Sequence, residues 1–395
     1  MKLVGKTGLR FLSFGVLLWL LGCAQTYRPV ANPIIGPGGD PGPTKGAVVV
    51  DNNGGGIGAT DVVNVGGDTN GGTLVMGTNP VHAGILPTNS RAYVANQGDD
   101  SVSSFFIFLP SNGVTVTSLP AGSQPVFVNT TQSNLVFVAE PGTGKVAAIS
   151  TAANTLSSET SVGGTPVALA ETPNQLHLYV VLTGGNVVDL NPGDFSVPGT
   201  TIAVGASPVF AASSPDSSLL FVVNQGGNSV SVISTATDTV VQTIPVGSSP
   251  NFAKYDPKLK RVYVTNSGGN TVSVIDASGT VPFPAPATVT VGSAPTSVTA
   301  LADGSRAYVA NSGSGTVSVI NAASLTVTKT IGVGTTPLSL DSSSDSTRVI
   351  VANRDTVNAG SPIIGSISCI NTATDTVIVT LIPGSSNPRW VVITP

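Results

Sequence analysis

The chain has 395 residues, enough for a substantial core, and only 9% of them are charged, against roughly 25% in an average soluble protein. It holds 46 glycines, 29 prolines and just three glutamates (Glu140, Glu159, Glu171), a turn-and-strand composition that excludes a helix-rich fold. The net charge is −4, no Lys/Arg cluster lies beyond the first ten residues, and the chain has two histidines and two cysteines. A nucleic-acid surface and much metal or nucleophile chemistry are therefore not expected.

Residues 1–10 carry Lys2, Lys6 and Arg10 with no acid, and a 12-residue apolar run, Phe11–Gly22, follows. A transmembrane helix needs about 20 residues, so residues 1–22 read as a signal peptide. The run ends in Leu20-Leu21-Gly22-Cys23, which resembles the bacterial lipobox. That resemblance implies that Cys23 is lipidated on sulfur, that the chain is cut before it, and that the new amino group is acylated. It also implies an outer-membrane address, because Ala24 follows the cysteine in place of the aspartate of inner-membrane retention signals. The other reading is an ordinary secretory signal with an incidental cysteine. Each buried acyl CH₂ contributes about 0.8 kcal/mol to such an anchor. Residues 23–46 are rich in Pro and Gly and read as a tether, reaching roughly 70 Å at about 3.1 Å per residue.

The body, residues 47–395, is a repeat. A Gly-x-x-Pro turn recurs at Pro80, Pro125, Pro166, Pro208, Pro250, Pro295, Pro337 and, with one residue inserted, Pro388. After each proline comes a short first strand, such as Pro208–Pro215. A second strand follows (RAYVANQG at Arg91–Gly98, RVYVTNSG at Arg261–Gly268), then a third (TVSVID at Thr271–Asp276) and a fourth (TVVQTIPVG at Thr239–Gly247). Asn224, Asn266 and Asn311 end second strands before Gly-containing loops, where Asn suits turns and left-handed backbone. Four-stranded units of this size cannot bury both faces alone, and stacking them radially gives a β-propeller. A solenoid is the other arrangement. The termini argue against it: Pro388–Pro395 is a first strand without partners, while Ala47–Asn53, Thr60–Val65 and Thr73–Gly77 are three strands lacking a first. Joining them closes the ring with a composite blade. The predicted fold class is all-β, a single propeller of four-stranded antiparallel blades, eight in number with seven as the alternative.

YVTN at Tyr263–Asn266 and YVAN at Tyr93–Asn96 and Tyr308–Asn311 resemble the YVTN β-propeller repeat of bacterial and archaeal envelope proteins. The resemblance covers residues 80–395, with drift at Phe137–Glu140, Tyr179–Leu182 and Ile350–Asn353. It is specific for the repeat and weak for activity.

Arg91, Arg261, Arg306 and Arg348 recur at one position of the second strand. A ring of guanidiniums around an anion is one reading; a repeated structural pairing with a nearby acid or carbonyl is the expected one. Cys369 replaces the valines at 232, 274 and 319 and reads as a buried small hydrophobe. His82 and His177 lie at non-equivalent positions, Trp390 is the one tryptophan after the signal peptide, and neither quinoprotein nor WD40 signatures occur. The acidic loops Gly98–Asp100 and Asp51–Gly54 lack a spaced calcium pattern and read as solvated turns. Phe105–Phe108 reads as core on one side. No catalytic, cofactor or metal residue is assigned.

Insertions break the symmetry that structure alone would keep. Arg354–Ile364 lengthens the second-to-third loop of the last full unit. Its Arg354, Asp355, Asn358, Pro362, Ile363 and Ile364 form a candidate partner-binding loop with an apolar tip, the alternative being a loop folded onto its own blade. Val281–Ala287 is a second insertion, on the opposite face by connectivity. The expected function is a non-enzymatic, lipid-anchored envelope scaffold. It is held to the membrane at Cys23 and binds a protein or glycan partner as a single copy, with no cofactor and no nucleic acid. The second hypothesis is a hydrolase similar to propeller lactonases, some of which are grouped with YVTN repeats; it needs Arg, His, Glu or Asp gathered at one mouth of the channel, with Glu140 and His177 the residues to mutate. Electron transfer through a bound cofactor is the third and weakest reading.

Overall fold

In the computed structural model the described residues are 45–395, apart from 109–112, 133, 196–198, 355–364, 384–386 and 395. The signal peptide, Cys23 and nearly all of the tether lie outside them. Among the described residues the strands form eight four-stranded antiparallel sheets arranged as a ring. One three-residue turn of 3₁₀ helix, Asn53–Gly55, is the sole helical element among the described residues. No described helix is long and apolar enough to cross a membrane.

Seven blades are continuous in sequence: 80–118, 127–161, 166–203, 208–245, 250–290, 295–332 and 337–381, numbered 1 to 7 below. Blade 8 is composite. Its first strand is Pro388–Ile393, and Gly46–Asp51, Ile57–Asn64 and Thr69–Thr78 follow outward. Val48 pairs with Val392 and Val49 with Val391 across the seam. The closure read from the termini is thus present, and the blade count is eight.

Neighbouring blades cover both faces of every sheet, so the central strands carry unbroken apolar runs rather than alternation. Val48 and Val50 pack towards blade 1, while Ala47 and Val49 pack towards blade 7. Each of the eight apolar clusters joins two adjacent blades, for instance Tyr179 and Val181 with Leu220 and Val222. Burial of this kind, at about 25 cal/mol per Å² of apolar surface, is what radial stacking adds to an isolated blade.

The Gly-x-x-Pro turn and the second-strand Asn prove to be two halves of one packing unit. In five blades the Asn Nδ2 donates to two third-strand hydroxyls, as Asn224 does to Ser229 (3.1 Å) and Ser231 (2.9 Å). The turn glycine lies so close that a Cβ on Gly205 would meet Asn224 Nδ2 at 2.6 Å. Blades 2 and 3 carry Glu140 and Leu182 in place of Asn. There Gly122 and Gly163 adopt φ of +83° and +68° with open space around them. These Asn residues sit inside strands; the left-handed positions fall four residues later, at Asp100, Asn228 and Asn270.

Candidate functional site

The recurrent arginines are rim latches between blades. Each second strand reaches to the third-to-fourth turn of the next blade, whose fourth residue is left-handed: Asp68, Asn154, Asp238, Leu325 and Asp375. Arg91 and the Tyr93 hydroxyl (2.9 Å) both donate to Asn154 Oδ1. Arg306 meets both oxygens of Asp375 at 2.8 Å, and the Tyr308 hydroxyl donates to the same carboxylate. Arg348 holds Asp68 through Nε (3.0 Å) and Nη2 (3.1 Å), tying blade 7 to composite blade 8. Arg261 donates instead to the Ala322 carbonyl, because Leu325 stands where the acid would be, and the Tyr263 hydroxyl is left buried without a partner. At two other junctions the latch is apolar: Phe137 packs on Phe195 with tilted rings (5.3 Å) and Phe221 stacks on Phe283 (6.1 Å). The structural pairing expected of these arginines is what the rim contains; they form no ring around an anion.

The Val281–Ala287 insertion accounts for one apolar latch. The side-chain amide of Gln242 donates to the Phe283 carbonyl (2.9 Å) and accepts the Phe283 N–H (2.7 Å), which seats the Phe283 ring against Phe221.

Along the axis the first strands line an open cavity of about 620 Å³. Its deep end is an aromatic layer. Two residues after the turn proline, five blades carry His82, Phe127, Phe210, Phe252 and Trp390, and the other three carry Ala168, Ser297 and Ser339. The five rings make a closed circuit with centroid separations of 4.0, 6.2, 4.4, 6.3 and 4.3 Å in that order, returning from Trp390 to His82. Trp390 Nε1 donates to the Ala83 carbonyl (3.1 Å). His82 Nδ1 accepts the Val128 N–H (3.2 Å), which leaves its proton on Nε2, a buried atom without a partner. Burial lowers its pKa to about 3, so His82 acts as a neutral ring.

From this layer the cavity runs towards the loops after the first strands, where Pro173, Pro215 and Pro257 line it. Its wall carries few charges. Lys254 Nζ lies 3.8 Å from Asp341 Oδ1, and Asp341 Oδ2 accepts the Ile393 N–H at 3.1 Å. Glu171 accepts a hydrogen bond from Gln132, while its Oε2 is buried and unpaired. Burial pushes Glu171 up to about 7, against the opposing pull of the Gln132 bond. A carboxyl titrating near neutrality in a cavity wall is a group able to exchange protons with a ligand.

The residues singled out from the sequence lie elsewhere. His177 is on the rim, paired with Asp189 at 2.7 Å, so the two histidines do not meet. Glu140 ends the second strand of blade 2 outside the cavity, raised to about 7 by burial and by Glu159. Cys369 is fully buried, its thiol pushed up to about 12 by burial. Asp99 and Asp100 accept backbone N–H groups of Thr78 (2.8 Å), Gly122 and Gln124 (both 2.7 Å), and so serve as turn braces. Phe105 and Ile107 are core, while Phe108 is exposed. Of the candidate partner loop, Arg354 is described, half-buried, its N–H bonded to the Thr336 carbonyl (2.8 Å). Asp355, Asn358, Pro362, Ile363 and Ile364 lie outside the described residues. The axial set was missed because its members are scattered over 309 positions (82 to 390); aligning the repeats on the turn proline would have found it.

Residues 150–357 match a family described as "Lactonase, 7-bladed beta-propeller". The chain belongs to that family. It closes with eight blades where the family description gives seven. Among solved structures it is similar to dihydro-heme d1 dehydrogenase NirN in complex with DHE, at 15% identity and TM-score 0.70 over 92% of this chain and 76% of that one. Hydrazine synthase of Kuenenia stuttgartiensis is similar at 19% identity and TM-score 0.60, over 75% and 96%. A functionally unknown protein from Desulfotomaculum acetoxidans DSM 771 gives 15% and 0.56 over 72% and 94%. At these identities the likeness is one of fold. The comparison with curated proteins gives no match.

Proposed function

We propose that this member of the lactonase propeller family is a non-enzymatic binding module, lipid-anchored through Cys23 in a bacterial envelope, with the outer membrane favoured. It recognises a glycan partner at the axial cavity, works as a single copy and binds no nucleic acid. The observation that carries this reading is the closed aromatic circuit at the base of the cavity. It is built at one repeat position that other blades fill with Ala or Ser. Aromatic faces take the apolar C–H faces of a sugar ring, and a few placed polar groups fix its orientation. Lys254, Asp341 and Glu171 supply such groups on the wall. The Pro/Gly-rich tether lets the cavity mouth stand clear of the membrane.

Calorimetric titration of the full chain with a panel of envelope oligosaccharides tests this. One class binds with micromolar affinity, and Phe210→Ala and Lys254→Ala each weaken it at least tenfold. Absence of binding across the panel overturns the reading.

A second reading is favoured by the family match and by Glu171: a lactone hydrolase in which Glu171 activates water. Turnover of a lactone panel, lost in Glu171→Gln while the fold is kept, would put that reading first. The absence of turnover leaves the binding module.

A further inference from the structure

The latch between blades 3 and 4 departs from its counterparts in two ways at once. His177 stands where four other blades carry Arg91, Arg261, Arg306 and Arg348. Asp189, paired across from Tyr179, stands where the other continuous blades carry Ser104, Ala148, Val232, Val274, Val319 and Cys369. The first change removes a permanent cation, and the second adds a carboxylate. At the neighbouring polar latches a guanidinium meets at most one carboxylate; here Asp189 and Asp238 face a single imidazole.

The geometry draws these groups together. His177 Nδ1 lies 2.7 Å from Asp189 Oδ2. The Tyr179 hydroxyl donates to Asp238 Oδ1 at 2.9 Å. One ligand atom each from His177, Asp189 and Asp238 lies within 4.8 Å of the other two. Asp189 Oδ1 is buried and has no hydrogen-bond partner, a costly state for a carboxylate oxygen unless a cation or a proton satisfies it.

We propose that His177, Asp189 and Asp238 bind a divalent transition-metal ion of the zinc class, which pins blade 3 to blade 4 as arginine pins other pairs. One imidazole nitrogen and two carboxylate oxygens form a mixed N/O donor set of the kind zinc takes, with a fourth position left for water. Calcium and magnesium favour shells of oxygen alone. Tyr179 supports the ligands from outside: its ring stacks on His177 at 5.6 Å and 8°, and its hydroxyl holds Asp238. His177 remains 24% exposed, which gives the ion a way in from solvent. The residues are contributed by two blades, so binding cross-links the rim.

The test is titration of the metal-stripped full chain with Zn²⁺, read by calorimetry and by thermal unfolding. The expected result is one equivalent per chain. At a zinc concentration 100 times Kd the unfolding constant drops about 100-fold. Asp189→Val installs the residue of blades 4, 5 and 6, and His177→Arg restores the arginine latch. Both variants keep the metal-free melting temperature within a few degrees and lose stoichiometric zinc binding with its thermal shift. The proposal is overturned if the wild type shows no saturable 1:1 binding, if both variants bind as the wild type does, or if Ca²⁺ gives the same shift as Zn²⁺. None of these readouts depends on what the axial cavity binds.

Discussion

At the rim, second strands meet the third-to-fourth loop of the next blade at seven described junctions, through Arg348 on Asp68 or, from the position two residues further along the strand, through Phe221 on Phe283. Along the axis, equivalent positions diverge into His82, Phe127, Ala168, Phe210, Phe252, Ser297, Ser339 and Trp390. A position held to one job in every unit serves the architecture, because each junction must be closed for the ring to close. Equivalent positions that converge on a common space and yet differ are free of that demand, and their differences shape a site. The latch between blades 3 and 4 lies at the rim but diverges in the manner of the axis.

The largest test of the architectural side is removal of residues 388–395. Blade 8 then lacks its inner strand, its apolar seam opens, and cooperative thermal unfolding should vanish in calorimetry. Breaking single latches comes next. Phe221→Ala removes a fully buried ring and is expected to cost about 3–5 kcal/mol in denaturant titration. Arg348→Ala leaves Asp68 without its counter-charge in a site where Arg348 is 2% exposed, and is expected to cost about 3–5 kcal/mol as well. If the Arg348 variant loses less than about 1 kcal/mol, polar and apolar latches are not equivalent.

The axial side is sharpened by pH. Glu171 is raised to about 7 by burial, while an unfolded glutamate titrates near about 4.3. Between those values the folded chain binds more protons than the unfolded one, so stability falls as pH rises through that window and levels off above it. Glu171→Gln should lessen this fall in melting curves taken from pH 4 to 8, the remainder coming from Glu140, which is also raised to about 7. An unchanged slope would mean that Glu171 ionises as freely as an exposed acid.

The smallest contrast lies between two tyrosines. Tyr308→Phe removes a bond to Asp375 and should cost about 1 kcal/mol, whereas Tyr263→Phe removes a buried hydroxyl without a partner and should be neutral or stabilising. Equal losses in the two variants would show that the Tyr263 hydroxyl does find a partner.

Much of the architecture was legible in the chain because a repeat states its own register. The turn prolines fixed the units, the β-branched runs fixed the strands, and the missing strands at the two termini predicted the seam at Val49 and Val391. The structural reading of Arg91, Arg261, Arg306 and Arg348 followed from their recurrence alone. Their partners did not, since the acceptor belongs to the next blade and lies 61 to 280 residues away.

By itself, then, the sequence determined the unit, its strand order and the closure of the ring, because those depend on local turn chemistry and apolar pattern. Only the tertiary structure decided which side chains converge. The aromatic circuit of the axis and the His177, Asp189 and Asp238 cluster of the rim each draw residues from different blades. Radial packing brings them together, and no spacing within one unit encodes that contact.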